Sequence, residues 1–248
     1  MENFLNRLIK LDKSVKVESI HQQVLEVKEI IAKINKKKVI ITRPSKLEIA
    51  PDKFEELSTK LSKSQVEDLR VLNKLLNNFR SYLSRRYGIW SVPNLTTAAR
   101  LKQEFNVKSA LEIMAGNGYW SLALNKVGIK TIATDSLQWA KTSQTGNNSF
   151  YPVEKLSAQQ AIEKYSNVDL ILCAWAPNFG TEDFDVLQTY RKSCDLRTKL
   201  VFIGEKNGAT NTNLFWQEAK IVDRKKIKKV NQTFQSFDFI DEKFYGIG

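Results

Sequence analysis

Two glycines one residue apart, Gly116 and Gly118, stand between an apolar run at 109–114 and a helical segment that starts near Tyr119. Glycine permits positive φ and lets a ligand approach the main chain closely. A helix that starts immediately afterwards offers unpaired N–H groups. That combination suits a nucleotide-type ligand at the carboxyl end of a strand in an open α/β sheet, with Ala115, Gly116, Asn117 and Gly118 as the contacts. Two carboxylates flank the turn. Glu112 lies four residues before Gly116, and Asp135, followed by Ser136, ends the next apolar run 17 residues after Gly118. A carboxylate at the second position accepts hydrogen bonds from ribose hydroxyls. The dinucleotide fingerprint wants a third small residue, and Ser121 stands there. Yet an acidic Glu112 beside the turn would repel a pyrophosphate, whereas it suits a ligand carrying an ammonium or a sulfonium. The ordered set points to S-adenosylmethionine rather than NAD.

Alternating strands and helices must position these residues. Segments 109–114, 130–134, 169–175 and 199–204 read as buried strands, with a blurred one at 151–156; 119–127, 184–193 and 214–219 read as helices. Alternation of this kind predicts a parallel sheet with helices on both faces. Two polar strand-like segments, 221–230 and 234–245, are expected to close the sheet edge as a hairpin. Residues 1–90 read as mostly helical. Ile20, Val24, Val27, Ile31 and Ile34 recur at helical spacing, and Val66, Leu69, Leu72, Leu75, Phe79 and Tyr82 form a second stripe. A capping box is expected at Ser64 and Glu67. Between the two helices lie Lys36–Lys38 and a short β-like run at 39–42.

Composition excludes several other chemistries. The 248 residues contain one histidine, His21, and two cysteines, Cys173 and Cys194. A zinc site built on Cys and His needs more ligands than that, so no metal is expected. A Ser-His-Asp or Cys-His mechanism would rest on His21 alone, which reads as a surface residue of its helix. Cys173 lies within an apolar strand and reads as a buried structural thiol. Two cysteines make no disulfide framework, which favours a reducing, cytoplasmic setting. No apolar run approaches the roughly 20 residues of a membrane span, and the start of the chain shows no signal core.

The stretch from Glu112 to Gly118, followed by Asp135, resembles the first two motifs of the class I S-adenosylmethionine-dependent methyltransferases. Further segments resemble a set of bacterial and fungal methyltransferase-like proteins. Tyr87-Gly-Ile-Trp90-Ser-Val-Pro93 is similar to their aromatic-Trp-x-x-Pro segment, and Gly118-Tyr119-Trp120 to their Gly-Tyr-Trp. Segment 169–177 is similar to a fourth strand ending in Trp-Pro-Pro-Tyr, and 201–205 to a fifth ending in Ile-Gly-Glu. The resemblance covers roughly residues 87–220. It implies a Rossmann-like domain over 87–248 with a mostly parallel seven-stranded sheet, preceded by a basic helical extension over 1–86. It also implies methyl transfer to a nitrogen or oxygen acceptor. Trp175, Pro177 and Asn178 become candidate catalytic residues, and Glu205 a candidate at the same edge. Tyr87 and Trp90 could form an aromatic wall over the sulfonium. Ser157 and Ala158 stand where an acidic residue often contacts adenine, which leaves adenine recognition to backbone groups or to Ser157.

Ala176 and Asn178 depart from the family's Pro and Tyr, which touches the acceptor chemistry rather than the cofactor fold. A second reading follows: a methyltransferase fold kept as a binding module, its reaction lost. Charge adds a third element. Of the net +12, residues 1–90 hold 19 Lys and Arg against 11 Asp and Glu, a net of +8. A nucleic acid, if it is a partner, is expected on this basic stretch and at Lys36–Lys38 before Lys225–Lys229.

Overall fold

Residues along the central strands alternate between two apolar environments, and the computed structural model shows why. It describes residues 3–141, 145 and 148–248. Among these, seven strands form one sheet: β1 (Ser109–Ile113), β2 (Lys130–Asp135), β3 (Val153–Lys155), β4 (Leu170–Ala174), β5 (Lys199–Gly204), β6 (Ile221–Val222) and β7 (Lys243–Ile247). Their order is β3-β2-β1-β4-β5-β7-β6. The first five strands pair in parallel, and β7 runs antiparallel to both β5 and β6.

Both faces are covered. Ala110, Leu170, Leu172, Val201 and Ile203 join one apolar cluster, while Leu111, Ile113, Ile171, Cys173 and Phe202 join the other. The first cluster packs against α6 (Leu95–Phe105), α7 (Tyr119–Lys126) and α11 (Arg224–Asn231); the second packs against α8 (Ala158–Lys164), α9 (Glu182–Ser193) and α10 (Asn213–Glu218). Strands covered on both sides read as continuous apolar runs, which is how they are written here.

Residues 4–87 supply α1 (Phe4–Val15), α2 (Glu18–Asn35), α3 (Pro51–Ser58), α4 (Lys63–Asn77) and α5 (Phe79–Tyr87). Their buried residues, Leu8, Ile20, Val27, Leu69, Leu72 and Phe79 among them, belong to the same cluster as the α7 face of the sheet. The connection after α2 is stitched to the rest of the chain: Leu95 N–H donates to Ile40 O, Leu47 N–H to Phe237 O, and Tyr119 Oη–H to Lys38 O.

Several expectations need correction. The hairpin predicted at the C-terminal end is instead β6, helix α11 and β7, with β7 inserted beside β5. Ile227 and Val230 are three residues apart and buried, which is helical spacing; their β-branched character disguised it. The capping box at Ser64 and Glu67 lies two residues too late. Ser62 caps α4, accepting from Gln65 N–H while Gln65 Oε1 accepts from Ser62 N–H. The stripe from Val66 to Tyr82 spans two helices, broken at Asn78. The β-like run at 39–42 makes a single bridge, Ile40 to Asn94.

Candidate functional site

The carboxyl ends of β1, β2, β4 and β5 share one edge of the sheet, and the backbone is unusual all along it. Met114 follows β1 at φ 50°, Leu137 follows β2 at φ 55°, Trp175 follows β4 at φ 60°, and Asn207 and Asn211 follow β5 at 56° and 59°. Left-handed backbone in bulky residues costs about 1–3 kcal/mol each and gathers at functional sites. Nothing in the residue types of Met114, Leu137 or Trp175 announces this strain.

Gly116 (φ 54°) and Gly118 (φ 72°) make the turn after β1. They serve different ends. A Cβ on Gly116 would meet nothing among the described residues within 4 Å, so its backbone faces open space. A Cβ on Gly118 would lie 3.0 Å from Tyr151 Cβ, so that glycine permits close packing at the start of α7. Ala115 N–H donates to Thr134 O, tying the turn to β2. Asn117 is buried, and its Nδ2 donates to Tyr87 O at 2.6 Å.

Asp135 closes the other side. Its Oδ2 accepts from Gly116 N–H at 2.9 Å; its Oδ1 accepts from Leu137 N–H at 2.7 Å and from Trp139 Nε1–H at 3.1 Å. Two carboxylate oxygens offer about four acceptor positions, and bonds among the described residues use three of them. Ser136 beside it is exposed. Ser157 is the N-cap of α8, accepting from Gln160 N–H at 3.2 Å. Its hydroxyl is committed to a helix that sequence reading missed.

Glu112 departs from its expected role as a charge facing the ligand. It is 2% exposed and points toward α7. There its Oε2 accepts from Ser121 N–H at 2.6 Å and from the Ser121 hydroxyl. Burial pushes its pKa up to about 8, against the pull of the Ser121 bonds and with a further push from Asp135. The group is therefore largely protonated at neutral pH and anchors the first turn of α7. Tyr87 is also turned inward. Its Oη–H donates to Asn35 Oδ1 at 2.9 Å, and it reaches the turn through its carbonyl rather than its ring.

The wall of aromatic residues is built by Trp90 and Trp175, stacked with centroids 5.4 Å apart and planes at 24°. Trp90 is 53% exposed. Ala176 is buried, while Pro177 and Asn178 are exposed on the loop that follows. Glu205 is spent on structure, Oε2 accepting from Ala209 N–H and Oε1 from Asp241 N–H. A residue of α5 organises this side. Arg80 is buried and pairs with Asp238 at 2.7 Å and Glu242 at 3.0 Å. It also donates to Trp90 O and Ser236 Oγ, and its guanidinium carbon lies 4.5 Å from the ring centroids of both Trp175 and Phe237. The sequence signal for Arg80 is weak: one cation at the start of a helix whose last turn also carries Arg85 and Arg86.

No family model matches the chain, and no curated protein matches it. Solved structures do. A Listeria monocytogenes protein assigned to the S-adenosylmethionine-dependent methyltransferases aligns at 16% identity and TM-score 0.33, over 45% of this chain and 55% of that one. The chain thus spans little more than half the length of that relative. The ribosomal protein L11 methylase of Lactobacillus delbrueckii subsp. bulgaricus aligns at 12% and 0.36, over 63% and 79%. An Archaeoglobus fulgidus S-adenosylmethionine-dependent methyltransferase aligns at 12% and 0.38, over 61% and 91%. Likeness this distant carries no argument about activity, which has to come from the site. What the chain is similar to in outline, then, is a set of solved structures described as S-adenosylmethionine-dependent methyltransferases.

Proposed function

We propose that the chain is a methyltransferase that binds S-adenosylmethionine at the edge of β1 and β2 and passes its methyl group to a nucleophilic nitrogen or oxygen over β4. The observation that carries this reading is the Gly116 cradle, open to a ligand and bonded directly to Asp135. S-adenosylmethionine supplies, when bound, a methyl group already activated by its sulfonium charge. The chain's own task is then to hold donor and acceptor at attack distance, a contribution of several kcal/mol. Ala115, Gly116, Asn117 and Gly118 supply main chain at close approach. Asp135 and Ser136 supply acceptors for ribose hydroxyls. Tyr87 positions Asn117 through its carbonyl, Glu112 fixes the start of α7, and Ser157 borders the adenine side. Trp175, Pro177 and Asn178 border the acceptor.

Any nucleic-acid contact belongs, on this reading, to residues 1–90. The exposed Lys36–Lys38 stretch is tied to α7 by the Tyr119 hydroxyl, which donates to Lys38 O. The test is transfer of labelled methyl from S-adenosylmethionine to fractions of a cell lysate. Label appearing in one fraction, and lost with Asp135→Ala, is the expected result. Tight cofactor binding with no transfer to any fraction would instead favour the module whose reaction is lost.

A further inference from the structure

We infer that the sheet edge over β4, β5 and β7 holds a flat, amino-substituted nitrogen heterocycle, gripped by Trp175, Asn211 and Glu242. The inference rests on the proposed function only in taking this ligand as the methyl acceptor. Trp175 directly follows β4, and its N–H donates to Ile203 O of β5. Asn211 lies in the loop after β5, its N–H donating to Ala176 O. Glu242 directly precedes β7, whose Lys243 lies opposite Gly204 of β5. Three chain segments thus bring these residues to one edge.

Each carries a buried polar atom without a partner among the described residues: Trp175 Nε1, both amide atoms of Asn211, and Glu242 Oε1. Asn211 is 3% exposed and Glu242 2%. Buried polar groups are almost always paired, and an exception calls for an explanation. Only Gln23 Oε1 and Asn94 Nδ2 share this condition among the described residues, so most such atoms gather at this edge.

Their chemistry selects the ligand. The indole N–H wants a lone pair. The carboxylate oxygen wants a donor. The amide offers one of each. A ring nitrogen beside an amino group supplies both in one plane, which meets the indole N–H edge-on; the Trp175 ring itself already carries Trp90 and the Arg80 guanidinium against it. An aliphatic amine would answer Glu242 and leave the indole N–H unpaired. An anion is disfavoured, because Arg80 faces two carboxylates, Asp238 and Glu242, and cannot neutralise both.

The test is titration of cytosine into the protein saturated with S-adenosylhomocysteine, followed by the indole N–H signals in 1H–15N spectra. Trp175→Phe assigns the Trp175 signal. Cytosine at millimolar concentration is expected to shift it, and toluene, equally flat but without donors or acceptors, is not. Glu242→Gln leaves Arg80 paired with Asp238, so the fold persists, as the dispersion of the same spectrum checks. It should weaken cytosine about tenfold while S-adenosylhomocysteine affinity stays within twofold. An unmoved Trp175 signal, an equal response to toluene, or unchanged cytosine affinity in Glu242→Gln overturns the inference. Failure of S-adenosylhomocysteine to bind would sink the cofactor reading separately, and the same titration on the bare protein would still decide the ring site. A single-stranded oligodeoxycytidylate distinguishes the source. Affinity at least a hundredfold above cytidine, falling steeply with salt, marks a base within a strand; equal affinity marks a free small molecule; both uphold the ring site.

Discussion

At the scale of single residues, Glu112 makes a measurable claim. Its carboxyl ionises near 4.5 in an unfolded chain and at about 8 in the folded one, because burial disfavours the charge. Between these values the folded state holds a proton that the unfolded state has lost. Stability is therefore greatest below about pH 4.5 as far as this group is concerned, and falls as pH rises toward 8, by about 1.4 kcal/mol per pKa unit. Glu112→Gln keeps an acceptor for Ser121 and has no proton to lose. Urea unfolding from pH 5 to 9 should show a flatter profile for the variant and a gain of about 2–4 kcal/mol at pH 8. Parallel profiles would mean that Glu112 is not buried as described.

At the scale of elements, what could be read from sequence followed from pattern. Strands β1, β2, β4 and β5 announce themselves because burial on both faces forces unbroken apolar runs. The turn at Gly116 and Gly118 announces itself because positive φ favours glycine. Some of what escaped was local pattern read another way, and some depended on distant partners. Helix α8 is capped by Ser157, a residue assigned to adenine by its place in a motif and not by the capping box it makes with Gln160. Helix α11 hid behind β-branched residues. Arg80 gains its meaning from Asp238 and Glu242, residues 158 and 162 positions away. Its pair is a strong element-level test. Arg80→Met strands two buried carboxylates and should destabilise the protein by about 3–5 kcal/mol. Adding Asp238→Asn and Glu242→Gln should recover most of that loss in urea melts. If the triple variant is no more stable than Arg80→Met, the loss came from packing against Trp175 and Phe237 instead.

At the scale of the whole molecule, the basic N-terminal stretch and the sheet share a core. Buried residues of α1, α2 and α4 join the cluster that covers one face of the sheet, and Arg80 reaches the candidate acceptor edge from α5. A chain cut to residues 87–248 is expected to lose cooperative unfolding and to expose apolar surface, read by dye binding and by broadened melts. A sharp transition in the cut chain would make the helices a dispensable addition.

The central claim concerns the donor, and calorimetry reaches it without knowledge of the acceptor. Wild-type protein titrated with S-adenosylhomocysteine should bind one equivalent at micromolar affinity. Asp135→Ala removes the group that holds Gly116 N–H and Leu137 N–H, and should weaken binding at least tenfold, about 1.4 kcal/mol. No heat of binding to the folded wild-type protein at millimolar ligand, or equal affinity in Asp135→Ala, would contradict the account.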